Sequence, residues 1–180
     1  MIGAVLADAL AAAETDLAAA YDRSAPLIRW LVAHELPAPE VLHAIAETTL
    51  RRRVLRCLRD PQATFAQLRE HIIEAVDARV SIDTPEIALA ASDGLRRLIE
   101  RVAAPDGTLD GAALDTIARA AEAASRMRSG VDLWFAQNAT WRLLDRLPDL
   151  RRRGAAGDEA SAHAAVNLER LARALRLAVR

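Results

Sequence analysis

Apolar residues recur along this chain at three- and four-residue intervals, the spacing of one face of an α-helix, and no segment shows the period-two alternation of a strand. Leu6, Leu10, Ala13 and Leu17 predict a first helix over residues 2–21. Ser24 followed by Pro26 reads as a cap and a first-turn proline, restarting a short helix that carries Leu27, Ile28, Leu31 and Val32. Leu36-Pro37-Ala38-Pro39 breaks it, and Leu42, Ile45, Leu50, Val54 and Leu58 mark the next helix, stopped by Asp60-Pro61. Thr64 and Gln67 have capping-box spacing and open a helix carrying Leu68, Ile72, Ile73 and Val76. Ser81-Ile82-Asp83-Thr84-Pro85-Glu86 is the sharpest helix start: polar caps, then proline, then an acid near the positive end of the dipole. A turn at Pro105-Asp106-Gly107 precedes a helix over residues 110–127. Asp132 caps a helix that Pro148 is expected to end, residues 151–157 read as a loop, and Ala165, Leu168, Leu171, Leu175 and Val179 form the last stripe. The reading is all-α: one compact bundle of about seven to eight helices with short connections, spanning residues 1–180.

Composition narrows the chemistry. Apolar residues make up 52% and aromatic residues only 3%, which predicts a core of small side chains and close helix approach. Net charge is −1, so no global field draws nucleic acid or an anionic membrane, and neither is an expected partner. Every basic side chain other than histidine is Arg; without Lys there is no Schiff-base nucleophile and no P-loop lysine. The single Cys57 sits among Val54, Leu55 and Leu58 and reads as a small hydrophobe. Asp8, Glu14 and Asp16 interrupt the apolar first segment, which has no basic leader and reads as an amphipathic helix rather than a signal or membrane span. A cytoplasmic location is expected.

No catalytic residues can be nominated from spacing. Glu40 and His43 lie at the Glu-x-x-His interval used in di-metal bundles, but such sites need two of these pairs and further carboxylates. A metal-binding bundle is therefore a minor alternative, and no cofactor is expected. Ser24, Ser81 and Ser129 lie where caps and turns need them, with no elbow to hold a nucleophile. Arg51, Arg52, Arg53, Arg56 and Arg59, and then Arg151 to Arg153, are best read as solvated faces and helix C-terminal cations. The most unusual stretch is Val131-Asp132-Leu133-Trp134-Phe135-Ala136-Gln137-Asn138-Ala139-Thr140-Trp141, which holds two of three Trp and one of two Phe. On a helix, Trp134, Asn138 and Trp141 share a face and Gln137 adjoins it. Aromatic faces beside amides suit sugar recognition. From spacing alone the favoured reading is that both indoles anchor the core while the amides satisfy backbone groups.

The segments Ala25-Pro26-Leu27-Ile28-Arg29-Trp30, Leu36-Pro37-Ala38-Pro39-Glu40-Val41-Leu42, Ser81-Ile82-Asp83 and, above all, Val131-Asp132-Leu133-Trp134-Phe135-Ala136-Gln137-Asn138 carry a resemblance. From about Leu10 to Leu144 the chain resembles the helical C-terminal region of uncharacterised bacterial proteins whose N-terminal part is a glycoside hydrolase family 57-like barrel. In related family 57 enzymes the barrel carries a catalytic Glu and Asp, and the helical region packs against it and helps to wall the α-glucan groove. The barrel has no counterpart here, so the catalytic residues have no positions to occupy, and Arg51 stands where the family pattern suggests an amide. The resemblance implies a non-catalytic accessory module. Its partner would be a separate barrel protein or an α-glucan, met through Trp134, Gln137, Asn138 and Trp141. The alternative is a stand-alone protein-interaction or self-association domain, including a homo-oligomer.

Overall fold

A computed structural model describes residues 2–103 and 109–178. The turn expected at Pro105-Asp106-Gly107, and Val179, lie outside the described residues. Among the described residues the chain is all-α, with eight helices joined by short connections and no strand. Contacts divide it into two compact units, Met1–Ile82 and Asp83–Arg180.

The first unit holds α1 (Ile2–Ala33), α2 (Glu40–Arg59) and α3 (Phe65–Asp77), with α2 packed against both others. Tyr21, Ala25 and Ile28 of α1 meet Ala46 and Leu50 of α2 and Ala75 of α3 in its core. The break expected at Ser24 and Pro26 is absent: α1 runs through Pro26 without interruption. An interior proline loses one backbone hydrogen bond and costs about 3 kcal/mol. Here Ala25 and Ile28, on either side of it, are buried, so tertiary packing overrides the local signal. Ser24 is no cap; its hydroxyl donates back to the carbonyls of Ala20 and Tyr21. Thr64 and Gln67 form the expected capping box at the start of α3.

The second unit holds α4 (Pro85–Val102), α5 (Gly111–Ala124), α6 (Trp134–Leu144), α7 (Leu147–Ala155) and α8 (Glu159–Ala174). Helix α8 packs on α5, α6 and α7, while α4 packs on α5 and α6. Its core joins Leu95, Ile99, Leu114, Ile117, Leu168, Leu171 and Leu175 to Ala118, Ala121, Ala164 and Ala165. Small residues set the helix spacing, as the composition predicts. A Cβ on Gly154 would lie 2.9 Å from the Ala162 Cα, and one on Gly111 would lie 2.6 Å from His163 Nδ1. Asn167 ties the same α5–α8 contact, donating to the Gly111 carbonyl at 3.0 Å.

Two boundaries differ from expectation. Pro148 does not end a helix but sits in the first turn of α7, where a proline lacks nothing the helix needs. Residues 151–155, expected as loop, are helical because Leu147 and Leu150 are buried and draw the segment onto α8. At the head of α4 the Asp83 carboxylate accepts from the backbone N–H groups of Arg128 and Ser129 at 2.7 and 2.8 Å, fixing the turn after α5. No helix of the described residues is long and apolar enough to cross a membrane.

Candidate functional site

Helix α6 is anchored on its inner side. Ala136, Thr140 and Leu143 are buried, and Leu133, Ala139 and Leu144 pack at the core edge. Its start is fixed by Asp132, whose carboxylate accepts from the Trp134 N–H at 2.9 Å and whose carbonyl accepts from the Ser92 hydroxyl. The opposite side is open: Trp134 is 59% exposed, Phe135 56% and Trp141 58%. These indoles do not anchor the core. Hydrophobic residues at 136, 143 and 144 already fill the inward positions, leaving the aromatic ones outward.

The Phe135 ring meets Trp134 edge-on at 4.8 Å, and its face lies 6.0 Å from the Arg96 guanidinium of α4. The two amides behave differently from the indoles. Gln137 is half-buried and donates to the Leu175 carbonyl at 3.0 Å, locking α6 to the end of α8. Asn138 is exposed, with its NH₂ group donating to the Trp134 carbonyl at 2.9 Å. Trp134, Asn138 and Trp141 thus share one outward face, and Gln137 stands beside it in a structural role. Phe135 and Arg142, both exposed, complete the face; sequence reasoning passed over them although they are themselves seven residues apart. Among the described residues Arg142 has no ion pair.

Other candidates reduce to ordinary surface. Glu40 and His43 are both exposed in the first turns of α2, so they do not face a bundle interior. Among the described residues no three His, Cys, Asp or Glu side chains come together to hold a metal ion. The arginines of α2 are spoken for: Arg51 pairs with Glu47 at 2.5 Å, Arg52 and Arg56 with Glu14, and Arg53 with Asp22 and Glu74 at 2.6 and 3.1 Å. A cleft beside them, lined by Glu14, Thr48, Arg52 and Arg56, offers only about 50 Å³. Small-molecule sites run to several hundred Å³. Arg151 pairs with Glu169 at 2.8 Å, and Arg152 and Arg153 with Asp149.

No protein-family model, curated protein or solved structure matches this chain.

Proposed function

We propose that this chain is a non-catalytic helical interaction module whose outward α6 face docks a partner protein. One observation carries the reading: Trp134 and Trp141 are each more than half exposed on a helix whose other side is buried. Large aromatics left in water on a fixed helix mark interaction sites, where Trp, Tyr and Arg are the usual anchors. The likeness to the helical region of family 57-like proteins supplies one candidate partner, a separate α-glucan-active barrel. An α-glucan lying directly on the face is the second reading, favoured by two indoles about 10 Å apart along the helix with an amide between them. It is the weaker of the two, because Gln137 and Asn138 each already give one N–H to a main-chain carbonyl, which leaves fewer donors for a sugar.

The test is a thermal and urea denaturation of Trp134→Ala and Trp141→Ala. A docking face predicts each loss to be under about 1 kcal/mol, against about 3–5 kcal/mol for an aromatic that holds a core. Unfolding of either variant would overturn the reading. Maltooligosaccharide titration of the Trp fluorescence is expected to give no saturable change; a saturable change lost in both variants would transfer the face to glucan binding.

A further inference from the structure

We propose that the partner of the α6 face is a second copy of this chain, its α6 lying antiparallel to the first with a two-fold axis beside Asn138. The inference rests on the reading of α6 as a protein-docking face and adds the identity of what docks.

The α6 face is symmetric about Asn138. At 3.6 residues per turn, Trp134 and Trp141 fall about 40° and 60° to one side of Asn138, and Phe135 and Arg142 about 60° and 40° to the other. Along the axis the same residues sit four before, three after, three before and four after the centre. An antiparallel two-fold keeps each side of the face on its own side and reverses direction along the helix. It therefore brings Trp134 of one copy to Trp141 of the other, and Phe135 to Arg142, each contact occurring twice. Asn138 meets its own symmetry mate. Its NH₂ group gives one N–H to the Trp134 carbonyl, which leaves its second N–H and its side-chain oxygen to pair with those of the symmetry mate.

Chemical complementarity follows from this registration. Indole would stack on indole, and a guanidinium with no ion pair among the described residues would meet an exposed phenyl ring. Arg96 already lies 6.0 Å from the Phe135 ring centroid within the chain, so the incoming Arg142 would share a ring that is 56% exposed. A glucan would use the two indoles and the amide between them and would leave Phe135 and Arg142 without a part.

Area supports the same occupant. The open portions of three aromatic side chains amount to about 350 Å² per copy, taking 150–250 Å² for each complete side chain. Two copies with Asn138, Arg142 and their surroundings reach about 1,000 Å², the lower limit for a specific interface. The expected complex is a weak, concentration-dependent dimer.

Sedimentation of the full chain from low to high micromolar concentration tests it. Wild type is expected to shift from monomer to dimer, and Trp134→Ala with Trp141→Ala to remain monomeric throughout. Arg142→Glu, which leaves the indoles in place, is expected to weaken dimerisation about tenfold, and Arg142→Lys less, since the lost contact is cationic. Register is read by Asn138→Cys in a Cys57→Ser background with copper phenanthroline and oxygen as oxidant. Its disulfide-linked dimer should form about a hundredfold faster than that of Val166→Cys on α8, through raised effective concentration. A chain that stays monomeric, or a dimer indifferent to the Trp variants and to the position of the cysteine, overturns the inference. If the Trp variants keep wild-type stability while the chain is monomeric, only the identity of the partner falls. If they unfold, the docking reading falls with it.

Discussion

At Thr140 the inner side of α6 carries a cost. Its hydroxyl is fully buried and has no hydrogen-bond partner among the described residues, and an unmet buried polar group costs about 1–3 kcal/mol. Thr140→Val keeps the shape and removes the hydroxyl, so it is expected to raise stability by about 1 kcal/mol, read as the urea midpoint at unchanged slope. A decrease would mean the hydroxyl has a partner in solution. The same helix shows how residue-level reading divides. That Trp134, Asn138 and Trp141 share a face was legible, because helical spacing is periodic. Whether the face looks inward or outward was not, because that depends on which neighbouring helices compete for the core. Gln137 illustrates the second point: its bond to the Leu175 carbonyl spans 38 residues, and no local pattern announces it.

Elements with a chemical start signal were legible. Thr84 caps α4 by accepting from the Ile87 N–H at 3.3 Å, followed by Pro85 and Glu86 as the sequence predicts. Thr84→Ala is expected to lower stability by about 1 kcal/mol and Thr84→Ser by much less, measured by denaturant unfolding. Equal losses would show that the hydroxyl is not what matters. Two other prolines were unreliable signals. Pro26 was expected to divide one helix and lies inside α1; Pro148 was expected to end a helix and begins α7. A proline fixes one dihedral and removes one donor, which is compatible with a helix start, a break or a tolerated interior position. Burial of Ala25 and Ile28 in one case, and of Leu147 and Leu150 in the other, decides among them. The expected number of helices was reached although one boundary was drawn where none exists and one helix was missed.

For the molecule as a whole, titratable groups set the pH range of stability. Asp83, Glu122 and Asp158 are held below the usual carboxylate range. Asp83 is held by Ser129, Glu122 by the Arg170 guanidinium and Asp158 by the Ser161 hydroxyl. The folded chain therefore binds fewer protons at these sites than the unfolded chain. Their contribution is present above the unfolded carboxylate values and is lost as pH falls through them toward the folded values. At the other end, burial and then the neighbouring Glu74 push Tyr21 from 10.0 up to about 12. The folded state now keeps a proton the unfolded state releases, so stability holds below pH 10 and declines as pH rises through about 12. Melting temperature against pH should show both limbs, and Tyr21→Phe should flatten the alkaline one. Tyr21 is the only tyrosine, so ultraviolet titration reads it directly; a midpoint near 10 would contradict its burial.

By itself the sequence determined that the chain is all-α and where most helices begin, because periodicity and capping are local. It also determined that small side chains would bring the helices close, as Gly111 and Gly154 do against α8. Only the tertiary structure decided which face of each helix is covered. The exposure of Trp134, Phe135 and Trp141 arises there, since side-chain burial is a competition among the helices of one unit for the same volume and no segment settles it alone.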